Sequence, residues 1–236
     1  MGPQGLYMTF NSGVRALQRI AVIGAGGFAR EVLDVVNAIN KVQQQFEMLG
    51  YIVDGNYGKP GDIINDYPIL GDLGWMENHP DVQLICGVGA PEHRRRLITR
   101  AASYKVGFCT LIHPAAVLTS WVEIGYGTVI TAGCVLTNQI RIGNHVHLNL
   151  NTTVGHDSVI EDFVTVSPGV NCSGNVHLSE GCFIGTGATI IEKLSIGRWS
   201  VIGAGSVIIQ DVPANSTVVG VPGKVIKTKD NGWHLE

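Results

Sequence analysis

LNLNTTVGHDSVIEDFVTVSPGVNCSGNVHLSEGCFIGTGATI, residues 148–190, carries an apolar residue at every sixth position: Leu148, Val154, Ile160, Val166, Cys172, Leu178, Ile184 and Ile190. The register runs on without a slip in both directions. Upstream it holds Ile112, Leu118, Ile124, Ile130, Leu136 and Ile142; downstream it holds Ile196, Ile202 and Ile208. In a chain that is 45% apolar, seventeen fixed positions fill by chance about once in a million. The residue after the apolar one is often glycine, as at Gly125, Gly143, Gly155, Gly185, Gly197 and Gly203. A period of six is neither helical nor the alternation of a half-buried strand. It predicts a parallel β-helix with short flat sides, one inward residue per side and a tight turn at each corner.

Upstream of Ile112 the pattern is different. RIAVIGAG (19–26) reads as a buried strand entering a glycine turn, and FAREVLDVVNAI (28–39) follows with helical spacing. EMLGYIVDG (47–55), VQLICGVGA (82–90) and GFCTLI (107–112) read as further strands, with APEHRRRLITRAAS (90–103) as a second helix. Strands alternating with helices predict a small parallel sheet, at roughly 95 residues about half of a full dinucleotide-binding fold. The expected division is a leader over 1–18, an α/β half-Rossmann-like domain over 19–110, a β-helix over 111–212 and a tail over 213–236.

Composition narrows the function. A net charge of -3 over 236 residues offers no field for nucleic acid or an anionic membrane. No apolar run approaches the ~20 residues of a membrane span, and MGPQGLYMTFNSGVRALQ lacks the pattern of a signal peptide. Cys86, Cys109, Cys134, Cys172 and Cys182 are odd in number and form no CxxC pair. They read as reduced core thiols, which fits a cytoplasmic protein, and not as disulfides or a zinc site.

The hexapeptide pattern, the terminal VVGVPGKVIK (218–227) and the upstream GAGGFAREVLDVV (24–36) and GVGAPEHRRRL (87–97) resemble the left-handed β-helix acetyltransferases. The resemblance is to the branch of nucleotide-amino-sugar N-acetyltransferases and sialic-acid O-acetyltransferases. It implies a left-handed coil, a homotrimer, acetyl-CoA as donor, a nucleotide sugar as acceptor and no metal. A hydroxyl-acetylating enzyme and a noncatalytic nucleotide-sugar-binding scaffold are the alternatives.

In that family eighteen residues make one coil. His156 lies two residues after the inward Val154 and points outward, and Gly174 occupies its column one coil later. A base beside a backbone without a side chain suits attack on a thioester. The resemblance implies His156 as general base, Asp157 as the group that orients it and the Gly174 amide as the donor to the thioester oxygen. Asn149 matches a family asparagine near the acceptor and equally fits a polar corner residue. A second family histidine, nine residues past the base, corresponds to Thr165, with His147 one coil earlier in the same column. His145 and His147 are expected to be polar outward residues. The backbone at Thr186 and Ala204 matches positions that hold the pantetheine arm, and Lys224 matches a residue near the CoA phosphates. Arg198 and Trp199 fit a phosphate and adenine contact, or a solvated charge and an oligomer contact, equally well.

The turn Gly24-Ala25-Gly26-Gly27-Phe28-Ala29 approximates G-x-G-x-x-A, whose glycines let phosphates approach the N–H groups at a helix start. Its usual ligand is NAD, with Asp54 on the ribose. The half-sized domain joined to an acyltransferase coil implies instead a nucleoside diphosphate sugar, with Asp54 on the nucleoside and Gly87-Val88-Gly89 lining the other wall. Phe28 stands where some relatives have a histidine beside the sugar.

Overall fold

The computed structural model describes residues 16–54 and 57–235, so the expected leader lies largely outside the described residues. The N-terminal part contains β1 (Gln18–Ile23), α1 (Gly27–Val42), β2 (Phe46–Ile52), β3 (Ile63–Ile64), β4 (Tyr67–Gly71), β5 (Gln83–Cys86), α2 (Pro91–Ala101) and β6 (Gly107–Phe108). The sheet order is β3-β4-β2-β1-β5-β6. All pairings are parallel except the β3–β4 hairpin, which the sequence reading did not find. α1 buries Ala29, Val32, Leu33, Val35, Val36 and Ile39, the stripe its helical spacing predicts. α2 opens on Pro91, whose missing N–H costs nothing in the first turn.

GFCTLI is two strands and not one. Gly107 and Phe108 pair with Gln83 and Leu84 of β5, whereas Leu111 and Ile112 pair with Val129 and Ile130. The chain leaves the sheet and enters the coil across Cys109 and Thr110. The Thr110 hydroxyl marks the change by donating to the Gly125 carbonyl at 3.0 Å.

From Leu111 the backbone winds into three stacked parallel sheets of short strands. From Leu111 to Ile208 the rungs pair residues eighteen apart, such as Thr153 with Asn171 and Val159 with His177. The predicted inward residues form one continuous core: Leu136, Leu148, Val166, Leu178, Ile184, Ile190 and Ile202 are wholly buried. The corners follow a second rule. Every sixth residue from 127 to 205 has a left-handed backbone, glycine at several of them but also Asn151, Asp157, Phe163, Lys193 and Trp199. A side chain in that conformation costs about 1–2 kcal/mol. The inward packing on both sides of each corner offsets it.

The tail begins as coil, with Thr217 and Val218 pairing Val201 and Ile202, and then makes an antiparallel hairpin, Ser216–Val219 with Lys224–Thr228. The last residues turn back. His234 stacks on Trp199 with centroids 4.0 Å apart, and Arg95 of α2 lies over the same indole at 5.3 Å. Trp199 is only 2% exposed, so neither an adenine nor a partner reaches it.

Candidate active site

His156 occupies the corner after the Thr153–Val154 strand, and its side chain is 68% exposed. Its Nδ1 lies 2.7 Å from Asp157 Oδ2. A carboxylate only accepts, so Nδ1–H donates and Nε2 keeps a free lone pair. Asp157 is itself a left-handed corner residue, φ 60°, adjacent in the chain to the ring it holds. One coil on, the Asn175 N–H donates to the His156 carbonyl at 2.6 Å, which seats Gly174 against the imidazole. A Cβ built on Gly174 would lie 2.6 Å from His156 Nε2. A side chain there would push the His156 ring out of its place. The Gly174 N–H donates no backbone hydrogen bond among the described residues, so a basic nitrogen and a free donor stand side by side.

Thr186 and Ala204 are exposed and stacked, the Gly205 N–H donating to the Thr186 carbonyl at 2.8 Å. They lie at the corner between the eight- and six-stranded sheets, whereas His156 lies between the six- and five-stranded ones. The two columns therefore border the same six-stranded sheet. Lys224 is exposed at the start of the returning strand of the tail hairpin. Asn149 is 8% exposed and its Nδ2 donates to the Val166 carbonyl at 2.8 Å, an internal use of the side chain.

His145 and His147 do not face solvent. They project from the coil but are 2% and 0% exposed, because α2 and β6 cover that side. His145 meets the rings of Phe108, Tyr126 and Phe163 at 4.8, 5.2 and 5.4 Å. Burial pushes its pKa down to about 4 and that of His147 well below the usual value, with Arg94 adding to both shifts. Thr165, 3% exposed, lies under the same cover and donates to the Gly89 carbonyl at 2.7 Å. Neither Thr165 nor His147 is placed to meet a donor that reaches the coil from outside.

The glycine turn opens a crevice of about 500 Å³ lined by residues 23–100 alone, among them Gly26, Gly27, Phe28, Asp54, Gly89, His93, Arg96 and Arg100. Gly24 is left-handed, φ 94°, and a Cβ on Gly87 would lie 2.5 Å from Ala29 Cα, so these two glycines let strand ends and helix approach. At Gly26, Gly27 and Gly89 a Cβ would meet nothing within 4 Å. These glycines leave room for a ligand. Asp54 is not free, because Arg100 grips its carboxylate with Nη1–Oδ2 2.5 Å and Nη2–Oδ1 3.2 Å. Arg96 and Arg100 bring guanidinium groups to the crevice wall, that of Arg100 shared with Asp54, and His93 stands beside them. The sequence reading missed them, although the four-residue spacing of Arg96 and Arg100 puts both on one face of α2. Phe28 reaches down to the coil, its ring 4.6 Å from that of His147. No group of three metal-ligating side chains occurs among the described residues.

Residues 19–101 match the family described as the PglD N-terminal domain. A GDP-perosamine N-acetyltransferase of Escherichia coli O157:H7 is 29% identical over 214 residues, 87% of this chain and 95% of the relative. The chain spans only 39% of the length of the Bacillus pumilus serine acetyltransferase that it matches, at 36% identity over 85 residues. The acetyltransferase domain of PglB from Neisseria gonorrhoeae, solved in complex with acetyl coenzyme A, is similar at TM-score 0.80 and 30% identity, over 89% of this chain and 100% of that one. PerB from Caulobacter crescentus, solved with CoA and GDP-perosamine, is similar at TM-score 0.81 and 25% identity, over 90% and 99%.

Proposed function

The chain belongs to the left-handed β-helix, hexapeptide-repeat acetyltransferases of the nucleotide-sugar branch, and from that membership we propose that it transfers acetyl from acetyl-CoA to the amino group of a nucleotide-linked sugar. The observation that carries this reading is the exposed His156–Asp157 pair lying against the bare Gly174 backbone. The amine nitrogen attacks the thioester carbon while His156 Nε2 takes its proton. The oxygen of the tetrahedral intermediate meets the Gly174 N–H, a donor fixed before the charge develops. The carbon–sulfur bond then breaks and the departing thiolate takes up the proton held by His156. Asp157 stabilises the imidazolium between the two steps. The donor lies along Thr186 and Ala204 with Lys224 at its phosphates. Burial raises the pKa of Cys172 to about 12, which removes that thiol as a nucleophile near the base.

The acceptor crevice contains no coil residue, and His156 sits at a different corner of the coil from the one, at His145 and Phe163, that Arg94 and Phe108 cover. A sugar bound in one subunit therefore meets the base of another. The six-stranded sheet between the donor column and His156 presents Val117, Val135, Thr153 and Thr189 outward, with Val117 59% exposed. Packing coils through this sheet joins a donor column to a neighbour's base and closes a homotrimer. Light scattering at micromolar concentration should give three subunit masses; one subunit mass with full activity contradicts this. We place the enzyme in the cytoplasm, a reading supported by five free buried cysteines.

The crevice reading has its own test. Calorimetry should give heat with a UDP-, GDP- or dTDP-sugar and none with NAD. Gly26→Val should weaken the sugar nucleotide at least tenfold without unfolding the domain, because its Cβ enters open space that phosphates would fill and its φ of -74° suits any residue. Tight NAD binding, or a Gly26→Val variant of undiminished affinity, contradicts the assignment. An acceptor hydroxyl is the rival that Phe28 leaves open, and the chemical class of the product decides it.

A further inference from the structure

Arg94 is wholly buried, and among the described residues every acceptor of its hydrogen bonds is uncharged. Burial lowers its pKa to about 10, so it stays charged at neutral pH. Its guanidinium is spent entirely on joining two parts of the chain. On the sheet side Nη1 donates to the carbonyls of Val88 and Gly89 at 2.9 and 3.0 Å. On the coil side Nε donates to the His145 carbonyl at 2.9 Å, and Nη2 to the carbonyls of Phe163 and Val164 and to Thr165 Oγ1 at 2.6, 3.2 and 2.9 Å. The neutral His147 accepts from Nη1 through Nδ1 at 3.1 Å. Thr165 closes the circuit by donating to the Gly89 carbonyl. Val88 and Gly89 are themselves a wall of the acceptor crevice.

We propose that Arg94 is a positioning residue, which fixes the acceptor crevice on the coil so that a sugar held there reaches the acetyl group at the right distance. The inference rests on the reading of the crevice as the acceptor site. Five N–H groups in a rigid fork are what the arrangement uses, and a lysine cannot span the same carbonyls. Arg94 does not itself line the crevice; it holds two residues that do, Val88 and Gly89, by their carbonyls. Its loss should therefore move the crevice more than reshape it. Misplacement of about 1 Å costs on the order of 10²-fold in rate.

Arg94→Lys and Thr165→Val are compared with wild type in three measurements: turnover, calorimetric affinity for a nucleoside diphosphate, and hydrogen exchange at residues 87–90 and 163–165. For Arg94→Lys we expect turnover to fall 10- to 100-fold. The affinity for the nucleoside diphosphate should stay within twofold, and exchange should rise in both segments. Thr165→Val, which loses one link on each side, should move the same way by a few fold, and it keeps the test open if the lysine variant does not fold. Turnover within twofold of wild type in both folded variants overturns the proposal. A loss of nucleotide affinity in step with turnover overturns it as well, because Arg94 would then shape the crevice instead of placing it. Absence of wild-type turnover counts against the proposed reaction and not against the link, which the exchange pattern tests without substrate: unchanged exchange in both segments overturns it.

Discussion

Replacing His156 with alanine should lower turnover by about 10²–10⁴-fold, the usual contribution of a positioned general base, and leave the coil folded. The imidazole is not among the inward residues; its side chain is 68% exposed and its one side-chain partner is Asp157. No cavity opens when it is removed, so the melting temperature should stay within a few degrees. Affinity for acetyl-CoA should change little, because the proposed donor contacts are backbone at Thr186 and Ala204 and the Lys224 charge. A folded His156→Ala protein of near-normal turnover with its best acceptor would falsify the mechanism.

Gly174→Val should be as damaging by a different route. Its Cβ would stand 2.6 Å from Nε2 and 2.7 Å from Cε1 of His156, far inside contact distance. The ring must swing away, which breaks the 2.7 Å bond to Asp157 and covers the free N–H. Both the base and the oxyanion donor are lost together, so turnover should fall by at least 10²-fold. Unlike His156→Ala, this variant should also bind acetyl-CoA more weakly, because the valine methyls occupy the thioester's place. Steady-state kinetics beside calorimetry with CoA separates the two: weakened donor binding in Gly174→Val, near-normal binding in His156→Ala. Equal donor affinity in both variants would remove Gly174 from the thioester site.

The coil was legible because one inward residue per flat side repeats with the period of the backbone, and nothing distant is needed to bury it. The corner rule was legible too, had glycine been counted three residues past the apolar position, at Gly127, Gly133, Gly169, Gly181, Gly187 and Gly205. That Gly174 stacks on His156 followed from the eighteen-residue coil, but the roles given to the two residues came from the family resemblance and not from the stacking. What failed depends on docking between distant segments. Nothing near His145, His147 or Thr165 in the chain announces that α2 covers them. Within HRRR (93–96), Arg94 is chemically the same as its neighbours, yet it alone is buried while Arg96 faces the crevice. Trp199 reads as an exposed corner aromatic and is buried only because residues 233–235 return to it. The break inside GFCTLI escaped because both halves are strand, and only their partners differ.

The most direct measurement is thiol release from acetyl-CoA with a panel of UDP-, GDP- and dTDP-amino sugars, with the product mass read in parallel. The account predicts that at least one amino sugar nucleotide releases CoA and gains one acetyl group as an amide stable to mild hydroxylamine, and that His156→Ala abolishes most of the signal. Release only with hydroxyl acceptors, giving a hydroxylamine-labile ester, or no release with any sugar nucleotide by a folded protein that binds both substrates, would contradict it.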